Sequence, residues 1–209
     1  LMAVSRQQDK WLVFIEGHGE RRPDHQANFN LSLWNDNLGQ KGFKSKTLNL
    51  VEHPHIPNNT AVVVIASPDK PWLSGEIDII KNYIDDGGNL LWLTEPKEQP
   101  LLAELAEHLG IEQVPGTIID PNTAFLGIAD PQFALVTDYA QHPITQAVTS
   151  VTLFPKATAL APLNNNSAWL YQPLLTTPDN TWTDINPNAK AAYNEQQDQL
   201  GPHSIGYLL

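Results

Sequence analysis

The sequence predicts an α/β fold: a doubly wound, mostly parallel sheet flanked by helices, followed by a β-rich, irregular half. Three observations carry this. The stretch Ala61 to Pro96, AVVVIASPDKPWLSGEIDIIKNYIDDGGNLLWLTEP, reads as strand, loop, helix, tight turn, strand, which is one parallel-sheet unit. Strand and helix patterns alternate from Trp11 to Gly110. Beyond Gly110, prolines and short apolar runs replace the helical stripes. Residues 1–10 read as a lead-in or linker and 11–209 as a single α/β domain, with the doubly wound core at 11–115 and a β-rich extension or small lobe at 116–209.

Trp11 to Glu16 (WLVFIE) is the expected first strand, and Gly17 to Gln26 a polar loop. Asn28 or Asn30 is placed to cap a helix carrying Leu31, Leu33, Trp34 and Leu38, which ends near Gly39 or Gly42. Phe43 to Leu50 alternates apolar and polar residues, as a half-buried or edge strand does. Val51 to Thr60 contains Pro54 and Pro57 and is a loop. Ala61 to Ala66 is an unbroken apolar run rich in β-branched residues, which suits a strand buried on both faces. Ser74 is placed to cap the next helix, with Glu76 near its positive end. Ile77, Ile80, Tyr83 and Ile84 share a helical face, and Asp85-Asp86-Gly87-Gly88 stops the helix. Asn89 to Thr94 is a second buried strand. Leu101, Leu102, Leu105, Ala106 and Leu109 form a further stripe closed by Gly110. Later strands are expected at Thr117–Ile119, Phe133–Thr137, Val151–Phe154 and Trp169–Leu175. Asn164 to Asn166 reads as a turn, and Ala189 to Asn194 as a short helix.

Composition narrows the function classes. A chain of 209 residues buries about 70% of its unfolded surface and needs no covalent staples. The absence of cysteine excludes disulfides, thiolate zinc sites and cysteine nucleophiles. The net charge of −11 argues against nonspecific binding to nucleic acid or to anionic lipid. No run reaches the ~20 apolar residues of a membrane span. The sequence opens at LMAVSRQQDK and closes inside the apolar run SIGYLL, the pattern expected of a piece of a longer chain whose membrane segments lie outside it.

Phe14-Ile15-Glu16-Gly17-His18-Gly19-Glu20-Arg21, Tyr83-Ile84-Asp85-Asp86-Gly87-Gly88-Asn89-Leu90-Leu91, His142-Pro143-Ile144-Thr145, Pro173-Leu174-Leu175-Thr176-Thr177 with Trp182, and Gly201-Pro202 occur in a telling order. In that order and spacing the chain resembles the auxiliary component of uncharacterised ABC-type transport systems, the gliding-motility-type family of bacteria. The resemblance implies a domain on the periplasmic side of the inner membrane, held there by transmembrane segments and working beside an ABC permease and its ATPase. It also implies a class I glutamine amidotransferase-like (flavodoxin-like) fold. It carries over no catalytic residue and no cofactor. Amidotransferases place a nucleophilic cysteine at a strand-to-helix elbow. The corresponding turn here reads Thr94-Glu95-Pro96, and with no cysteine that chemistry is not available.

In an open α/β sheet, ligands bind beyond the carboxyl ends of the strands. Three loops are expected at that rim: 16–22, 67–72 and 94–97. They would bring together Glu16, His18, Glu20, Ser67, Asp69, Trp72, Thr94 and Glu95. The Glu16-Gly-His18-Gly-Glu20 segment has two readings. Glycines beside a histidine let backbone approach a ligand, with the carboxylates tuning the imidazole or holding a cation. The same glycines also simply turn the chain after a strand.

Other motifs have plain structural readings. His53-Pro54-His55 lacks a third zinc ligand and reads as a solvated loop, and His18, Asp24 and His25 make at best a weak metal set. His142-Pro143 starts a turn. No G-x-S-x-G elbow surrounds Ser67 or Ser74. Gly87-Gly88 follows a helix and lacks the lysine of a phosphate loop. Trp92 is expected in the core. Trp72, on a rim loop, is open between core and ligand stacking.

The reading that follows is a non-catalytic binding or assembly domain for a partner protein, a glycan or a peptide. Two alternatives stand beside it: a metal- or carboxylate-dependent hydrolase built on Glu16, His18 and Glu20, and a structural spacer in a membrane complex.

Overall fold

The computed structural model describes residues 10–96, 102–163, 168–187 and 192–209. The chain divides into two compact units, 1–94 and 95–209.

In the first unit β1 (Trp11–Ile15) leads to α1 (Ser32–Gln40) and β2 (Lys44–Leu48), then β3 (Thr60–Ala66), α2 (Ser74–Asp85) and β4 (Leu90–Leu93). The four strands form one sheet in the order β2-β1-β3-β4, parallel throughout. Val13, Val63 and Ile65 are fully buried, as are Phe14 and Val64, so both sheet faces are covered at β1 and β3. Phe14, Val64 and Ala66 form a core cluster with Leu12, Leu31, Val62 and Leu93 against it. Trp34 of α1 meets Phe14 edge-on, with ring centroids 5.8 Å apart. β2 is the sheet edge expected from its alternating sequence, and Lys44 and Lys46 both reach over the Trp11 ring, at 5.8 and 5.5 Å.

Several expectations are corrected. β4 lies at the other edge of the sheet, so it is half-buried, with Leu91 36% exposed and Trp92 outside the full core. Neither Asn28 nor Asn30 caps α1: Leu31 occupies the cap position, while Asn30 accepts the Arg22 N–H through Oδ1. Ser74 is already inside α2. Leu73 is its cap residue, and the Glu76 carboxylate accepts the Leu73 N–H at 2.9 Å. The expected stripe at 101–109 is α3 (Ala103–Leu109), ended by a left-handed Gly110, and it belongs to the second unit.

Among the described residues, parallel pairing is confined to the first unit. In the second, α3 is followed by β5 (Ile111–Gln113), β6 (Thr117–Ile119), a short 3-10 helix (Pro121–Leu126), β7 (Phe133–Val136), β8 (Asp138–Tyr139), β9 (Thr152–Pro155), β10 (Leu160–Pro162), β11 (Gln172–Thr176), β12 (Trp182–Asp184) and β13 (Ser204–Leu208). They pair antiparallel in a five-stranded sheet, β5-β10-β13-β11-β8, and in two ribbons, β12-β6 and β7-β9. The parallel sheet expected in the first half forms, but it ends at β4, and the β-rich half pairs antiparallel. Among the described residues, the prolyl connections after Gly110 join short antiparallel strands without crossover α-helices. The strand expected at 169–175 starts later, at Gln172. Val114, Ile118, Ala134 and Ala159 make this unit's core cluster. Asp120, fully buried, holds the N–H groups of Asn122 and Leu135 at 2.9 Å each. The expected Asn164–Asn166 turn lies outside the described residues, as does 189–191 of the expected helix; residues 192–194 are irregular.

Candidate functional site

The parallel sheet reverses its direction of growth between β1 and β3, which neighbour each other at its centre. In such sheets the crevice beyond the carboxyl ends of those two strands is where loops part to leave room for a ligand. The loop after β1 and the loop after β3 meet there. The His18 carbonyl accepts N–H bonds from Asp69 at 2.8 Å and Lys70 at 3.0 Å, and Arg21 donates to the Ala66 carbonyl at 2.8 Å. Gly19, at φ +81°, packs so closely that a Cβ there would stand 2.9 Å from the Cβ of Asp69. Ser67 takes a left-handed φ of +50° and donates its N–H to the Leu93 carbonyl, which draws the end of β4 alongside. A non-glycine residue in that conformation costs about 1–3 kcal/mol.

The side chains converge on His18. Its Nε2 lies 3.1 Å from Glu76 Oε2, and its Nδ1 lies 3.4 Å from Glu20 Oε1. The other oxygen of Glu20 accepts the His18 backbone N–H at 2.7 Å. The indole of Trp72 lies on the imidazole, with centroids 5.2 Å apart and planes 31° from parallel. All four residues are buried; the Glu20 and Glu76 side chains are only 1% and 4% exposed. Yet Glu20 Oε1, Glu76 Oε1, His18 Nδ1 and Trp72 Nε1 are buried without a hydrogen-bond partner. The 3.4 Å approach of His18 to Glu20 is thus a charge contact rather than an aligned bond. Buried polar groups are nearly always satisfied, so this concentration of open valences marks a place of chemical interest.

The predicted residues fare differently. His18, Glu20, Ser67 and Trp72 are buried at the rim, and Asp69 stands exposed beside Gly19. Glu16 turns to Arg22, with a nitrogen-to-oxygen distance of 3.4 Å, and lies outside the histidine's contacts. Arg22 also forks onto Asp24 through two bonds of 2.9 and 2.8 Å. These bonds hold the Asp24 carboxyl below its ordinary range and raise the guanidinium. His25 Nδ1 faces the Asn30 amide at 3.1 Å. Asp24 and His25 are thereby engaged apart from His18, so the weak metal set is not assembled. Among the described residues, no three His, Asp or Glu side chains are grouped to hold a metal ion. Thr94 follows directly on β4. Glu95 belongs to the second unit, where its carbonyl accepts the Gln113 side chain at 3.1 Å.

Sequence reasoning missed Glu76. Its position four residues after Trp72, in the first turn of a helix, reads as a charge placed for the helix dipole. Nothing local announces that the carboxylate also reaches a histidine in the loop after β1.

No curated protein sequence matches the chain. A solved structure described as the mmIFT52 N-terminal domain is similar at 17% identity, with a TM-score of 0.59, covering 80% of this chain and 73% of that one. At that identity the likeness concerns the fold alone, a mixed α/β architecture with one parallel and several antiparallel sheets. The family model described as ABC-type uncharacterized transport system matches residues 9–209, and the chain belongs to that family.

Proposed function

We propose that this chain is a non-catalytic binding or assembly module of an ABC transport system, positioned on the periplasmic side of the inner membrane. It engages the permease and ATPase assembly of the same system through the rim of its parallel sheet. The observation that carries this reading is the state of His18. Both ring nitrogens face carboxylates and the ring is stacked under Trp72. A histidine whose two ring nitrogens both face carboxylates suits recognition better than proton transfer, which needs a ring nitrogen free to meet a substrate. Family membership supplies the transport context.

The sheet itself we read as doubly wound and amidotransferase-like. Its order supports this: the β1-to-β2 and β3-to-β4 crossovers depart in opposite directions, and right-handed crossovers then put α1 and α2 on opposite faces.

The test is recovery of the permease and ATPase subunits with the tagged full-length protein from solubilised membranes. Parent protein is expected to bring both down, and Asp69→Lys, an exposed rim change, to recover markedly less. Equal recovery with the variant removes the rim from the reading, and a protein found free of membranes and partners removes the reading altogether.

A further inference from the structure

We infer that the cluster of His18, Glu20, Glu76 and Trp72 takes the cationic group of a polypeptide, an ammonium or guanidinium, while the Trp72 indole N–H holds a carbonyl oxygen of the same segment. The inference rests on the rim being a binding surface and names what that surface binds.

Charge parity is the first argument. Two carboxyl groups share one imidazole. Even an imidazolium, donating from both nitrogens, offsets only one carboxylate. Among the described residues no lysine or arginine pairs with Glu20 or Glu76. Each keeps a buried Oε1 without an aligned hydrogen bond; that of Glu20 has only the 3.4 Å charge contact with His18 Nδ1, and that of Glu76 has no partner. A buried carboxylate oxygen without a donor is costly, and a positively charged donor answers both deficits at once.

Trp72 is the second and independent argument. It is 7% exposed, and its indole N–H has no acceptor. That donor asks for an oxygen, not a cation. Few chemistries offer both within a short span, and a basic peptide segment does: ammonium or guanidinium for the carboxylates, a main-chain carbonyl for the indole. An aromatic face beside the cation adds to the fit. A metal ion has nothing to offer the N–H. An oligosaccharide satisfies hydrogen bonds but leaves the second carboxylate without a counter-charge. The open atoms are closed to solvent, so entry requires the side chains around them to part.

The test titrates end-blocked pentapeptides, acetyl-Ala-Ala-Lys-Ala-Ala-amide and its arginine counterpart, into the isotope-labelled chain and follows the Trp72 indole N–H resonance by NMR. Saturable movement of that resonance is expected. The double variant Glu20→Gln, Glu76→Gln, with folding checked by circular dichroism, is expected to weaken binding about tenfold or more. Should the double variant not fold, Trp72→Phe, read at the His18 backbone amide, is expected to weaken binding while leaving the charges in place. An unblocked alanine pentapeptide distinguishes a chain N-terminus from a basic side chain as the source of the cation. No saturable shift with any cationic peptide overturns the inference, as does a norleucine peptide matching the lysine peptide, or a chitin oligosaccharide moving the indole resonance instead. Loss of permease recovery in Asp69→Lys without peptide binding sinks this inference and spares the rim. Peptide binding with undiminished recovery does the reverse.

Discussion

His18 is the residue on which the first unit's loops depend. Deleting its side chain strands two buried carboxyl groups that its ring now faces. Breaking a buried pair by removing one partner costs about 3–5 kcal/mol. His18→Ala is therefore expected to lower stability by roughly 3 kcal/mol, visible as a lower urea midpoint; an unchanged midpoint contradicts the pairing. His203, in the second unit, makes a prediction of a different kind. Burial pushes its imidazole below the ordinary 6.5, partly opposed by the Gln199 carbonyl 3.0 Å from Nε2. Between the folded value and 6.5, the unfolded chain binds a proton that the folded chain refuses. His203 thus costs no stability above 6.5, and stability falls as pH drops through that value. The melting temperature should decline on acidification through this window, and His203→Gln should flatten the decline. His18 and Glu20 were legible in sequence because flanking glycines and a strand end are local signals. Glu76 was not, because its partner comes from a different strand's loop.

At the scale of elements, the turn between α2 and β4 is the most demanding local structure. Gly87 sits at φ +86° and accepts no strain-free side chain, while at Gly88 a Cβ would run into the Tyr83 ring. The Gly88 N–H closes the helix on the Tyr83 carbonyl at 2.8 Å, and burial raises the Tyr83 phenol above its ordinary value. Gly87→Val, β-branched and forced left-handed, is expected to cost ~1 kcal/mol or more. A thermal melt identical to the parent's contradicts it. Elements also differ in how firmly they are held. α2 buries Ile77, Ile80 and Ile84, whereas α1 has no fully buried residue. Amide exchange should therefore be faster in α1 than in α2, and equal protection argues against this difference. β1, β3 and α2 were readable because β-branched runs and helical spacing report burial directly. The half-burial of β4 was not: LLWL states hydrophobicity, but whether a strand is central or marginal depends on pairing that the segment does not encode.

For the molecule as a whole, charge is the broadest constraint. At −11, it disfavours polyanions, and a mobility shift with duplex DNA at physiological salt is expected to show no complex. The alternation of strand and helix was legible as far as β4, where parallel pairing ends. α3 continued the helical pattern but serves an antiparallel unit, and periodicity alone does not distinguish those destinations. One feature of the sheet bears on how molecules meet each other. The edge strand β2 carries Lys44 and Lys46, whose ammonium groups fold inward over Trp11 of β1, so the border of the sheet bears two positive charges above one face. Charged side chains on an edge strand disfavour ribbon-to-ribbon stacking into fibres, because a neighbouring copy pairing there would bring like charges together.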